Sequence, residues 1–275
     1  MLKDITLGQF FPGNSIVHRL DPRLKLVLTF LFIVILFLCQ GPIPYAIMTV
    51  LLIVAIALSK ISFRLIFRSI RPILILLLIT TIFNLFYIKG GTTLVNWSFL
   101  TVTTYGLYTA FFMVLRIILL IAGTFVMLTY TTSPIMLTDG LESLFSPLKR
   151  LHVPVHELSM MMTIALRFIP TLIEETDKIL AAQKSRGADF ESGNLFARAR
   201  ALVPILVPLF ISAFRRAEDL ATAMESRCYH GGAGRTRLRV LRLTPMDYWV
   251  LSVSLVIFAL TIVVSYTVTF GLMLP

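Results

Sequence analysis

Five apolar stretches, at residues 24–39, 43–58, 72–88, 105–130 and 246–274, divide the chain. Each approaches the roughly 20 residues an α-helix needs to cross a hydrocarbon core, so each predicts a membrane span. The first two are short and share a Gly41-Pro42 turn, which predicts a helical hairpin. Between the fourth and fifth stretches the pattern changes. Charges of both signs interrupt apolar positions that still recur at helical spacing. Ser133-Pro134 is a start signal for a short amphipathic helix to about Arg150, with proline at its first position. Beyond Pro154 a long helix is predicted from about His156 to Ser185. Its stripe is Leu158, Met162, Ala165, Ile169, Leu172 and Ile179, with a kink at Pro170. A second long helix is predicted from about Leu202 to Ser226. Its stripe is Leu206, Phe210, Ala213, Ala217, Leu220 and Met224, and its wet face is Arg215, Arg216, Glu218, Asp219 and Glu225. Charges make both marginal as spans, so they read as helices lying along or crossing beneath the membrane surface.

Composition agrees with this pattern. With 57% hydrophobic residues and a mean hydropathy of +0.88, a soluble domain of 275 residues could not hide its apolar surface. The expected fold is an all-α membrane protein with about five transmembrane helices. A four-span bundle would occupy residues 1–130, a polar module 131–243 and a final span 244–275. The net charge of +11 fits cytoplasmic loops and anionic headgroups better than nucleic acid. Arg19, Arg23 and Lys25 precede the first span, and Lys60, Arg64, Arg68 and Arg71 separate the second from the third. With the N-terminus inside and the C-terminus outside, only Lys89 (outside) and Arg116 (within a span) leave the cytoplasmic set of 25 Lys and Arg. All 14 acids fall on that side too. The expected location is therefore the cell membrane, multi-pass, with no cleavable signal peptide pattern at the start.

The candidate chemistry is sparse. Cys39 and Cys228 stand far apart, which predicts no disulfide framework. His152 and His156 with Glu157 reverse the order of a zincin motif, and Pro154 interrupts the helix that would align them, so they read as surface histidines. Glu174-Glu175-Thr176-Asp177 is half of an Asp-rich magnesium motif without its second half, and reads as a solvated helix face. Gly231-Gly232-Ala233-Gly234 follows a helix rather than a strand, and no G-x-x-x-x-G-K-[ST] occurs. No metal, cofactor or catalytic site is expected, and any nucleotide hydrolysis must come from another chain. Arg116 is expensive inside a span and must pair within the bundle or line a polar path. Arg167 is expected to snorkel or pair with an acid of the same module. No carboxylate is expected to be buried in the bundle.

One repeat stands out. Ala182-Gln183-Lys184-Ser185-Arg186-Gly187 and Ala223-Met224-Glu225-Ser226-Arg227-Cys228 carry the same Ala-x-x-Ser-Arg pattern 41 positions apart, each ending a long amphipathic helix. Arginine at a helix C-terminus complements the macrodipole, and Gly187 suits a left-handed residue just past the end. A planar guanidinium fork also suits carboxylates or carbonyls in a partner's groove, and arginine is enriched among interface hot spots. Two matched ends on one module favour docking. The second end lacks the glycine, but Gly231-Gly232-Ala233-Gly234 follows closely and can supply the turn.

Ser185-Arg186-Gly187-Ala188-Asp189, and Ser226-Arg227-Cys228 with Tyr229-His230-Gly231-Gly232, resemble the paired Ala-Arg-Gly-type motifs of the transmembrane T component of energy-coupling factor transporters. Leu20-Asp21-Pro22-Arg23-Leu24-Lys25, Thr132-Ser133-Pro134 and Ala165-Leu166-Arg167-Phe168-Ile169-Pro170 extend the resemblance over most of the chain. It implies a non-catalytic coupling subunit that joins two ATP-binding-cassette ATPases to a substrate-binding membrane S component for vitamin or micronutrient uptake. Carried over, Ser185, Arg186 and Gly187 would dock one ATPase, and Ser226, Arg227 and Cys228 the other. Cys228 departs from the family's glycine, which puts the second turn's geometry in question. The surface meeting the S component and the other helix would be Leu158, Met162, Ala165, Ile169 and Leu172 with Leu206, Phe210, Ala213, Ala217 and Leu220. The competing readings are a self-contained membrane permease or channel, against which few buried polar groups speak, and an intramembrane enzyme, which lacks any paired carboxylate or nucleophile–base pair.

Overall fold

Several helices begin where the sequence supplies a capping side chain. The structure is a computed structural model that describes residues 10–87, 90, 92–97, 100–190, 194–231 and 240–273. Ser15 caps α1 (Ile16–Arg19), its hydroxyl accepting the His18 N–H. Asp21 caps α2 (Pro22–Leu38) through the Arg23 N–H, with Pro22 where a missing donor costs nothing. Gly41, at φ 84°, turns the chain into α3 (Pro42–Ser59). The basic run after α3 is helical rather than a bare connection. It forms α4 (Phe63–Ile70), then a 3-10 turn at Arg71–Ile73, then α5 (Leu74–Tyr87).

An antiparallel hairpin follows, β1 (Thr93–Trp97) with β2 (Leu100–Thr103), pairing Thr93 with Thr103 and Trp97 with Leu100. The hydrophobic pattern predicts no strand here, although threonine and valine suit one. Thr103 then caps α6 (Thr104–Thr124), whose last turn widens into a π-helical segment, Phe125–Tyr130. Next come α7 (Pro134–Leu144), a 3-10 turn at Ser146–Leu151, α8 (Val155–Ser185), α9 (Leu195–Glu225) and α10 (Pro245–Met273). The short helix expected to reach Arg150 thus stops at Leu144. Helix α8 runs on through Pro170, and α9 starts at Leu195 rather than Leu202, with Pro204 and Pro208 inside it.

The chain forms two compact units, one of residues 8–141 with 241–275 and one built chiefly on residues 142–240. In the first, α2 and α3 each pack against α6 and α10, and α5 packs against α6. Leu28, Phe32 and Leu36 of α2, Met48 and Leu52 of α3, Val126 and Phe258 share one core. Close approach of α2 to α6 depends on Gly123, where a Cβ would lie 2.4 Å from a Phe32 ring carbon. Pro42–Ser59, Phe63–Tyr87, Thr104–Tyr130 and Pro245–Thr267 are long and apolar enough to cross a membrane. Helix α2, with 17 residues, is about 26 Å long and sits at the short end for a span. The fold is that of an all-α, multi-pass membrane protein with one small hairpin.

Two carboxylates are buried in this unit, contrary to the expectation of none. Both serve helix starts. Asp247, 2% exposed, accepts from the Thr244 N–H at 2.7 Å and its hydroxyl at 2.8 Å, which satisfies an otherwise unpaired amide at the start of α10. Its other oxygen accepts the Asp21 N–H at 3.0 Å, so one side chain ties the starts of α2 and α10. Asp21 faces Arg23 (3.9 Å), and Arg23 reaches the Leu241 carbonyl. Buried Lys25 donates to the Thr131 carbonyl at 2.9 Å and the Thr132 hydroxyl at 3.1 Å. Arg116 pairs within the bundle, but with no acid. It donates to the Tyr45 hydroxyl (2.6 Å) and the Cys39 carbonyl (3.5 Å), and lies over the Phe37 and Tyr45 rings.

Candidate functional site

The two Ser-Arg ends close with the same backbone turn. At the end of α8 the Ala188 N–H donates to the Gln183 carbonyl and the Gly187 N–H to the Lys184 carbonyl, both at 3.0 Å. With Gly187 at φ 86°, this is a Schellman motif, in which a left-handed residue returns two amides to the last carbonyls. At the end of α9 the Tyr229 N–H donates to the Met224 carbonyl (3.0 Å) and the Cys228 N–H to the Glu225 carbonyl (2.9 Å). Cys228 itself takes the left-handed conformation, φ 58°. The second turn therefore needs no help from the downstream glycines. Gly231 is left-handed on its own account (φ 93°), and Gly232 onward lies outside the described residues.

These turns place Arg186 and Arg227 alike, at the last position before the left-handed residue. Both serines fold their hydroxyls back onto the helix, Ser185 to the Ala181 carbonyl (3.1 Å) and Ser226 to the Ala223 carbonyl (3.0 Å). Each tip is exposed, and neither arginine joins an ion pair among the described residues. Open space surrounds Gly187. The second tip instead borders a concavity of about 630 Å³, which Met160, Ile164, Met224, Arg227 and Tyr229 line.

Helices α8 and α9 pack against each other and are fastened by a polar contact. The Ser212 hydroxyl donates to Glu175 at 2.5 Å, and Arg216 Nη2 donates to the other carboxylate oxygen at 2.9 Å. The Ser212 hydrogen bond is the main reason the Glu175 carboxyl titrates below its ordinary value; Arg216 and Lys178 reinforce it and desolvation opposes it. Glu175 and Arg216 thus face each other between the helices instead of lying only on solvated faces, and both stay partly exposed. Residues 160 and 164 of α8 meet the end of α9 across the concavity while Glu175 meets Arg216, so the helices run antiparallel. Glu175 precedes Arg186 by 11 positions (186 − 175) and Arg216 precedes Arg227 by the same 11 (227 − 216). The contact thus lies midway between the tips, about 16 Å from each along the helices. That shared offset was the sequence signal that could have found it.

The predicted stripes divide. Ile169, Leu172, Ala213 and Leu220 are partly buried, whereas Leu158, Met162, Ala165, Leu206, Phe210 and Ala217 are exposed. Phe210 is 62% exposed and Leu158 47%, which leaves an apolar surface on each helix. His156 is not a free surface histidine: its Nδ1 lies 3.1 Å from Glu142, which is 8% exposed. Arg167 is exposed and makes no ion pair among the described residues. No group of three or more metal-ligating side chains occurs among the described residues.

Comparison with known proteins agrees with the motifs. The family model described as cobalt transport protein, CbiQ, matches residues 13–238, which include both Ser-Arg ends. The energy-coupling factor transporter transmembrane protein EcfT of Ruminiclostridium cellulolyticum is 50% identical over 266 residues, 97% of this chain and 99% of the relative. The protein of the same name from Thermosediminibacter oceani is 57% identical over 246 residues, covering 90% and 92%. That of Clostridium kluyveri is 52% identical over 263 residues, covering 95% and 97%. With both tips inside the matched region and near-complete coverage on each side, the chain belongs to the CbiQ family as a transmembrane T component of energy-coupling factor transporters.

Proposed function

We propose that this chain is the non-catalytic coupling subunit of an ATP-binding-cassette importer of the energy-coupling factor type. In this reading Ser185-Arg186-Gly187 docks one cytosolic ATPase and Ser226-Arg227-Cys228 the other. The exposed apolar surfaces of α8 and α9, including Leu158, Met162, Leu206 and Phe210, meet a substrate-binding membrane S component. ATP-driven motion passes through the helix pair to that component, which selects the vitamin or other micronutrient. The N-terminus is cytoplasmic and the C-terminus outside, which keeps residues 142–240 on the ATPase side.

The observation that carries this reading is the pair of identically closed helix ends, each presenting an exposed arginine that joins no ion pair among the described residues. A lone capping arginine needs no such repetition. Arg186→Glu or Arg227→Glu should weaken ATPase retention by roughly 2 kcal/mol per tip, as for an interface hot spot. The double variant should reach the membrane normally and support no uptake. Wild-type uptake by that double variant would sink the docking role. Failure of the wild-type chain to retain any ATPase on co-purification would sink the coupling reading altogether.

A further inference from the structure

Helix α4 divides its sides unusually cleanly. Ile66 is buried, Leu65 and Ser69 are partly buried, and the Ser69 hydroxyl meets the Tyr130 hydroxyl while Tyr130 also donates to the Leu65 carbonyl. Those contacts fix which side faces the bundle. At about 100° per residue, the opposite side carries Phe63 and Phe67 along one edge and Arg64, Arg68 and Arg71 along the next. All five are exposed, Phe63 at 66% and Phe67 at 65%. None of the three arginines joins an ion pair among the described residues, and no Asp or Glu occurs anywhere between Asp21 and Asp139. The protein thus gives this cationic face no counter-charge from its own neighbouring sequence.

The depth is right for headgroups. The helical stretch Phe63–Tyr87 has 25 residues, about 37 Å, whereas the hydrocarbon core is about 30 Å thick. Its surplus lies at the charged end, because residues 74–87 contain no charge at all. An aromatic pair beside a basic row at that level matches the acyl–headgroup boundary, with rings in the apolar layer and guanidiniums at the phosphates.

We propose that the outer face of α4 is a binding site for anionic phospholipid, with Arg64, Arg68 and Arg71 on the headgroup phosphate and Phe63 and Phe67 against the acyl chains. The site rests on the membrane setting of the chain and stands apart from the docking role of the Ser-Arg ends. Its test uses the full chain purified in detergent and titrated with phosphatidylglycerol or phosphatidylcholine, with bound lipid counted by native mass spectrometry. The wild type should retain phosphatidylglycerol in preference. Each of R64Q, R68Q and R71Q should weaken that retention about fivefold, and the triple variant on the order of 100-fold. The R64K/R68K/R71K variant, which keeps the charge, should stay within about fivefold of wild type. Should the triple glutamine variant not elute as a folded species, the single variants carry the test. Equal retention of both lipids by the wild type, or unchanged phosphatidylglycerol binding in the glutamine variants, would overturn the proposal. Displacement by millimolar inorganic phosphate would instead mark a free-phosphate site and overturn it too. So would normal lipid binding by a triple variant that loses another transporter subunit, because the face would then be a protein contact.

Discussion

At the level of single residues, Cys228 is the informative departure. A non-glycine residue in the left-handed region costs about 1–2 kcal/mol, yet the Schellman turn forms there as it does at Gly187. Cys228→Gly should therefore stabilise the protein by about 1 kcal/mol, seen as a higher melting temperature in detergent. An unchanged or lower value would mean that the side chain contributes a compensating contact. Gly123→Ala should act in the opposite direction, destabilising by about 1–3 kcal/mol because its methyl group meets the Phe32 ring. Phe32→Leu in the same chain should return part of that loss, since the two changes share one contact. Gly187 was legible in the sequence because glycine past a helix end has one common use. Cys228 was not, since nothing local marks a cysteine for positive φ, and the glycine-rich run downstream offered a more familiar turn.

At the level of elements, hydrophobic periodicity found α8 and α9 but not all of their limits. Arg198 and Arg200 hid the first turns of α9, and Pro204 and Pro208 resemble punctuation until packing carries the helix through them. The hairpin at β1 and β2 carries no Asn-Gly or Asp-Gly turn signal, and only pairing across it makes the strands. The α8–α9 fastening was hidden for a related reason, because a polar residue on an amphipathic helix reads as solvated until its partner helix is placed. Glu175 is held ionised below its ordinary value of 4.5, so the stability it adds is present above that pH. It is lost as pH falls through the depressed value. Glu175→Gln should remove this dependence, and amide hydrogen exchange in α8 and α9 near neutral pH should quicken in the variant. Identical exchange in both proteins would show that apolar packing alone fastens the pair.

At the level of the whole molecule, the decisive contacts are the ones furthest apart in the chain. Asp247 ties the starts of α2 and α10 across 226 positions, a link no window of sequence displays. Asp247→Ala leaves the buried Asp21 amide without its acceptor and should cost about 1–3 kcal/mol, whereas the exposed Thr244 amide can turn to water. Thermal unfolding would measure it, and a loss well under 1 kcal/mol would mean that water replaces the carboxylate. The permease alternative gains nothing from buried Asp21 and Asp247, since both are engaged at helix starts.

The equal offsets on either side of the Glu175–Arg216 contact give α8 and α9 a local two-fold pseudo-axis. Rotation about it carries each tip onto the other. For any partner with matching two-fold symmetry, engagement of one tip presents the other at an effective concentration in the millimolar range, so the second contact needs little further loss of translational freedom. Losing one tip then forfeits on the order of 10²–10⁴ in overall grip, well beyond its own share of contacts. Symmetry also decides what such a partner can transmit. Forces perpendicular to the axis arrive equal and opposite at the two tips, cancel as a net push, and add as a torque about the Glu175–Arg216 contact.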